Sequence, residues 1–321
     1  MDFRPARPAG ILGGAMMRRV MILRLAAGLS AVWALATVGL LGIAPGLPRG
    51  SGELLYAAAP QYGVPQTDLY RLDIDRGLTF RLTDSPSSEF HPDWSPDGER
   101  IAFVSERDGN REIYIMNADG SDARRLTRPP AADTAPAWSP DGERIAFVTE
   151  RFGYTEIMVV EASGANLTRL TDNSRLDTNP AWSPDGERIA FASDRDSRWN
   201  ANIYVMDADG ADAHVLQATP ANDWSPAWSP DGTRLLFVSD FGSMAVILAD
   251  LSGGPNRPLF TNNYAGLDTP VWSPDGRSIA FMSVSREGQM RLVVMDAACA
   301  DCPPTMLPIG SRFILDPRWK P

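Results

Sequence analysis

The pentapeptide Trp-Ser-Pro-Asp-Gly occurs at Trp94–Gly98, Trp138–Gly142, Trp182–Gly186, Trp228–Gly232 and Trp272–Gly276, and a worn sixth copy, Trp319-Lys320-Pro321, occupies the last three positions. From each tryptophan to the next the steps are 44, 44, 46, 44 and 47 residues. A period of this length belongs to architectures that array one supersecondary unit many times. The residues that recur build the unit, so function must be sought among those that do not.

One unit can be read from Pro92 onward. A short first strand ends at Ser-Pro-Asp-Gly, where proline presets φ for the second turn position and glycine suits the fourth. Ile101-Ala102-Phe103-Val104 follows as a buried strand of β-branched and aromatic residues, matched by Ile145 and Phe147, Ile189 and Phe191, Leu235 and Phe237, and Ile279 and Phe281. A polar loop leads to Ile113-Tyr114-Ile115-Met116, which stops at the hairpin turn Asn117-Ala118-Asp119-Gly120. A fourth, more polar strand ends at Leu126-Thr127, and its basic residues suit a solvent-facing edge.

Four antiparallel strands per unit, repeated radially, predict an all-β β-propeller. Residues 54–83 supply the second, third and fourth strands of a unit that lacks its first, and Asp316-Pro317-Arg318-Trp319 supplies the missing one. Six four-stranded blades result over residues 54–321, closed by pairing the two terminal strands, which removes the open edges.

Charge is distributed unevenly. Before residue 51 lie Arg4, Arg7, Arg18, Arg19, Arg24 and Arg49 but only Asp2 among the acids, so the remainder carries 24 positive and 39 negative charges, a net of −15. An acidic body repels phosphate backbones, which argues against nucleic acid as a partner. Residues 25–47 are uncharged and mostly apolar, long enough to span a bilayer, behind a basic tail at 1–24 that would stay cytoplasmic. A cleaved signal peptide shares this plan, but no convincing small-x-small site follows the run directly. The expectation is one retained N-terminal transmembrane helix and a propeller outside the cytoplasm, in the periplasm or on the cell surface.

The series Trp-Ser-Pro-Asp-Gly, Ile-Ala-Phe, Ile-Tyr-x-Met, (Asp/Asn)-Ala-Asp-Gly and Arg-Leu-Thr resembles the WD40-like Pro-Asp repeat of TolB-type six-bladed propellers, over residues 54–321. That resemblance implies a non-enzymatic interaction platform in the bacterial cell envelope, with an envelope protein or a peptidoglycan-like ligand as partner. TolB itself carries an α/β domain before its propeller, whereas here the first blade follows the apolar segment within a few residues.

Signatures of common chemistries are missing: there is no G-x-S-x-G elbow, P-loop or H-E-x-x-H motif, and no cofactor or metal is expected. Of the two histidines, His214 aligns with Arg124 on a fourth strand and reads as an edge residue. His91 precedes the proline of its innermost strand. The same position holds Ala135, Asn179, Ser225, Thr269 and Asp316, so these six should ring one mouth of the central channel. A wet, polar channel is the plain reading. A propeller enzyme, a lyase or a glycan-active protein using this mouth, is the alternative function. Asp207-Ala208-Asp209-Gly210-Ala211-Asp212 lacks the later glutamate of a calcium loop and reads as a turn. Cys299 and Cys302 have a spacing found in redox pairs, half zinc sites and loop-closing disulfides, and an exported location favours the disulfide.

The Ser-Pro-Asp-Gly and Asn-Ala-Asp-Gly turns each follow an odd-numbered strand and share one face. Loops between the second and third strands, and the connections between blades, share the other. They vary in sequence, as functional segments do. Tyr62, Phe90, Tyr154, Trp199, Trp224, Phe241 and Tyr264 are assigned to that loop face as a candidate ligand-binding surface, with Trp199 and Trp224 as anchors.

Overall fold

The computed structural model describes residues 52–59, 66–128, 130–197, 200–217, 219–240, 242–262, 266–299, 302–307, 309 and 314–321. The basic tail and the apolar segment 25–47 lie outside them, and among the described residues no helix is long and apolar enough to cross a membrane.

The described residues form six four-stranded antiparallel sheets, each taking its strands in chain order except the first, where Ile314–Trp319 pairs with Glu53–Ala58. That pairing completes blade 1, so the two ends of the propeller sequence close the ring within one sheet. The innermost strands of blades 2 to 6 are Glu89–Trp94, Asp133–Trp138, Asp177–Trp182, Asn222–Trp228 and Leu267–Trp272. Between neighbouring blades lies an apolar layer, as where Val104, Ile113 and Ile115 of blade 2 meet Trp138, Ile145 and Phe147 of blade 3. Each blade thus buries its faces only by having neighbours, the stacking logic of repeat proteins.

The pentapeptide does more than turn the chain. Ser95 is fully buried, its hydroxyl donates to Asp97 and accepts from the Arg100 N–H at 2.9 Å, and Gly98 N–H donates to the Ser95 carbonyl at 2.8 Å. Every pentapeptide copy repeats this arrangement, and the serine hydroxyl holds Asp231, for one, down to about 2. The turns also touch around the ring, where Pro96, Pro140 and Pro184 abut Gly142, Gly186 and Gly232 of the following blades. Behind them a guanidinium from each of blades 2 to 5 covers the tryptophan of the next: Arg100 on Trp138, Arg144 on Trp182, Arg188 on Trp228 and Arg234 on Trp272, all at 4.7–4.8 Å from the ring centroid. Such a contact contributes about 0.5–2 kcal/mol depending on its hydration. Blade 1 has Glu53 in the arginine position, and Lys320, held to Glu53 at 3.0 Å, covers Trp94 instead.

All six residues preceding the innermost prolines are left-handed: His91, Ala135, Asn179, Ser225, Thr269 and Asp316 have φ between 46° and 54°. Proline disfavours the right-handed region for the residue before it, and a β-bulge takes up the extra residue. The pairing register shifts there in each blade, for example between Phe90 and Asp93 and between Asp268 and Val271. A left-handed β-branched residue such as Thr269 is held only by its surroundings.

Candidate functional site

The bulges ring one end of the central channel, a cavity of about 460 Å³ lined by His91, Ala135, Asn179, Ser225, Thr269 and Asp316 and, deeper, by the innermost prolines and tryptophans. Because the bulge is near the start of each innermost strand, this mouth opens on the loop face. The ring is chemically lopsided. Blades 3 and 4 contribute an alanine and an asparagine, while blades 5 and 6 carry one hydrogen-bonded polar cluster and blades 1 and 2 another.

In the first cluster the Ser225 hydroxyl donates to Asp268 Oδ1 at 2.8 Å, and Thr269 N–H donates to the same oxygen at 2.8 Å. The His91 N–H donates to Asp316 Oδ2 at 3.0 Å, and the imidazole Nε2 lies 3.8 Å from that oxygen. Burial pushes the Asp268 carboxyl up, the Ser225 hydroxyl opposes that, and the nearby Asp316 charge adds to the rise. Two polar atoms, Thr269 Oγ1 and His91 Nδ1, are buried without a hydrogen-bond partner.

Deeper in the channel, where blades 3, 4 and 5 have Ala137, Ala181 and Ala227, blade 2 has Asp93 and blade 1 has Arg318. Their side chains pair at 3.4 Å, and Asp93 Oδ2 accepts from the Trp138 N–H at 2.7 Å. Burial outweighs both partners and raises the Asp93 carboxyl to about 6. In the unfolded chain an aspartate titrates near 3.9, so between these values the folded protein binds a proton that the unfolded one releases. The group therefore destabilises the fold at neutral pH, and that effect fades as pH falls through 6. Asp93→Asn carries no such titration. The stability of the variant minus that of the native protein, from urea unfolding, should be more positive at pH 7.5 than at pH 5 by about 1 kcal/mol; a gap independent of pH would contradict it.

Of the loop-face aromatics assigned from sequence, Tyr62, Trp199, Phe241 and Tyr264 lie outside the described residues. Phe90 and Trp224 are not in loops, because the innermost strands start earlier than the proline motif indicates, at Glu89 and Asn222. Trp224 is half-buried and packs against the layers on both sides of blade 5, and Phe90 packs against those flanking blade 2, with the His91 ring edge-on at 4.9 Å. Tyr154 is in a loop and is 44 % exposed, as is Phe152 two residues before it. The Asp177 N–H donates to the Thr155 carbonyl at 2.9 Å, which brings Leu176, 42 % exposed, beside that loop. Phe152 carries the Arg169 guanidinium at 3.9 Å. Phe152, Tyr154 and Leu176 are thus three exposed apolar side chains carried by adjoining segments where blade 3 leads into blade 4.

His214 is exposed on its outer strand. Asp207–Gly210 closes as a turn through Gly210 N–H to the Asp207 carbonyl at 2.9 Å. The sulfurs of Cys299 and Cys302 are bonded, closing the enlarged turn between the third and fourth strands of blade 6. Among the described residues no group of three or more His, Cys, Asp or Glu side chains could hold a metal ion.

Sequence reading missed Asp268, Arg318 and a set of buried ion pairs beneath the loops. Glu89, Asp133 and Asp177 begin their strands fully buried and pair with Arg107, Arg151 and Arg195, the arginines two residues after Ser105, Thr149 and Ser193. Aligning the blades on those serines and threonines would have exposed the set.

A family model described as the TolB beta propeller domain matches residues 128–200 and 196–303, and one described as the Tricorn protease N-terminal beta propeller domain matches residues 64–156. An uncharacterized protein of Agrobacterium fabrum is 41% identical over 54 residues, 17% of this chain and only 18% of that protein's length. TolB from Acinetobacter baumannii superposes with a TM-score of 0.76 at 23% identity, covering 84% of this chain and 67% of the other. A putative TolB from Agrobacterium tumefaciens gives 0.56 at 26% identity, over 65% and 80%. An oligogalacturonate lyase in complex with manganese gives 0.56 at 16% identity, over 77% and 71%, a likeness that carries the fold and not the chemistry.

Proposed function

The chain belongs to the TolB β-propeller family, and from that membership we propose that it is a non-catalytic binding platform of the bacterial cell envelope, anchored by residues 25–47 with its propeller outside the cytoplasm. The partner is a protein, docked on the loop face. The observation that carries this reading is the exposure of Phe152, Tyr154 and Leu176, three large apolar side chains of neighbouring loop-face segments. Aromatic anchors of this kind dominate protein interfaces. The opposite face is built largely of repeated polar turns whose serines and aspartates already satisfy one another.

The test is photo-cross-linking of the full-length chain in its native membrane, from position 154 on the loop face and from position 209 on the turn face. A specific protein should be caught from 154, and Phe152→Ser with Tyr154→Ser and Leu176→Ser should lower its yield by ~10-fold or more. Equal capture from both positions, or capture untouched by the triple change, would sink the reading.

A further inference from the structure

We propose that the groove between the outer parts of blades 3 and 4 is a socket for one arginine side chain of a partner protein, received where the propeller's own arginines sit in two sister grooves. This goes beyond the loop-face platform and does not depend on it.

The repeats show what such a groove holds. Arg124, on the outer strand of blade 2, pairs with Ile115, and its Nη2 donates to the Ala162 carbonyl in the turn of blade 3 at 2.7 Å. Arg257 has the same register position in blade 5, opposite Leu248, and its Nη2 donates to the Ala297 carbonyl of blade 6 at 3.2 Å. Beneath these guanidiniums Ala162 and Ala297 are only 7 % and 1 % exposed. Blade 3 has Thr168 at that position, opposite Val159. Its hydroxyl donates to the Asn166 carbonyl of its own blade at 3.3 Å and does not cross to the next. Ala208 of blade 4, the counterpart of Ala162, is left half-buried, and a cavity of about 560 Å³ lies between the two blades.

The lining suits the same cation. Glu161, Glu187, Asp207 and Asp209 border the cavity, and among the described residues the Glu187 and Asp207 carboxylates make no hydrogen bond or ion pair. Arg144, which also lines it, is engaged elsewhere, laid on the Trp182 ring at 4.7 Å and paired with Asp141 at 3.5 Å. Relative to the groove between blades 2 and 3, Asn117 and Ser163 are replaced by Glu161 and Asp209, Asp122 by Asn166 and Arg124 by Thr168. That is one acid more and one arginine fewer, so the charge falls by two. Acidity alone would take any cation, but the bonds made by Arg124 and Arg257 specify a guanidinium. Its planar fork gives one N–H to the turn carbonyl and keeps others for the carboxylates beside it. Val159 and Leu170, in the same lining, offer apolar carbon to the methylene stem.

The test titrates the full-length chain in detergent against a capped Gly-Gly-Arg-Gly-Gly peptide bearing a neutral fluorophore, read by fluorescence anisotropy. Saturable binding is expected, weaker by ~5-fold when the peptide carries lysine and by ~10-fold when it carries uncharged citrulline. Thr168→Arg supplies the guanidinium from within and should weaken binding by ~10-fold or more, with a thermal transition equal to or above that of the native chain. Arg124→Thr should open the groove between blades 2 and 3 and add a second site, and the double variant should move the site instead of losing it. Glu187→Gln with Asp207→Asn, both exposed, should weaken binding by ~5-fold and serves if Thr168→Arg does not fold. Three results would overturn the proposal: no saturation up to about 5 mM peptide, the range of very weak binding; equal affinity for the arginine, lysine and citrulline peptides; or unchanged affinity in a folded Thr168→Arg or Glu187→Gln, Asp207→Asn variant. No partner protein enters this titration, so its failure and failure of the loop-face reading are told apart.

Discussion

Deleting residues 314–321 is expected to abolish the cooperative unfolding transition of the propeller or to lower its midpoint by more than ~15 °C. The segment is the innermost strand of blade 1, and the deletion strips Glu53–Ala58 of its partner. Ile314 and Trp319 are buried against Leu54, Tyr56, Ala280 and Leu292, so two large side chains leave a layer shared with blade 6. Removing each of two such groups costs about 2–5 kcal/mol, against a total stability on the order of 5–15 kcal/mol. Lys320 goes as well, uncovering Trp94 and leaving Glu53 without its ammonium partner. What remains exposes a flat apolar strand edge, and such edges pair with other chains. Calorimetry and light scattering check both effects, and the peptide of residues 314–321 added in trans should restore part of the lost midpoint. A truncated protein that melts within about 5 °C of the full chain would mean that the ring does not need its closing strand.

Gly120→Ala is expected to destabilise the protein by about 3 kcal/mol or more, and Gly109→Ala by only about 1 kcal/mol. Both glycines are left-handed, at φ of 89° and 83°, so the backbone strain of an L-residue is nearly common to the two. Their surroundings differ. A Cβ on Gly120 would come within 2.3 Å of the Leu82 carbonyl oxygen, while nothing lies within 4 Å of one on Gly109. Leu82 follows the outermost strand of blade 1 and Gly120 is in a hairpin turn of blade 2, so the clash is between two backbones that define how adjacent blades stack. Relief requires moving one blade against the other, which the packed layer between them resists. Urea unfolding of both variants measures the difference, and equal losses would show that the strain is local to the turn.

The repeated parts of this molecule are legible because they recur: five pentapeptides and their strands set the period, and the strand missing before residue 54 is found at 316–319. The mouth ring was legible for the same reason, since proline marks the position in every blade. Asp268 was not. It falls in the column of Phe90, Thr134, Thr178 and Trp224, one residue before the ring, and in a regular strand that column points the other way. The bulge breaks the alternation, which lets the Asp268 carboxylate meet Ser225 of the neighbouring blade. Arg318 was hidden by distance: its partner Asp93 is 225 positions earlier, and the two meet only once the ring has closed. Phe90 and Trp224 were misassigned to loops because a motif that begins at proline says nothing about how far its strand extends upstream.

The ring of left-handed residues bears on how a family of such proteins can diversify. At this level the aperture is framed by main chain, since six bulges adopt the same twist whether the residue is alanine, serine, threonine, asparagine, histidine or aspartate. The frame behaves like a fixed iris with six sockets, and the side chain in any socket can change while the opening keeps its width. The chemistry lining the mouth is thereby uncoupled from the architecture that holds it, and it can be changed by a few point substitutions in an otherwise unaltered scaffold.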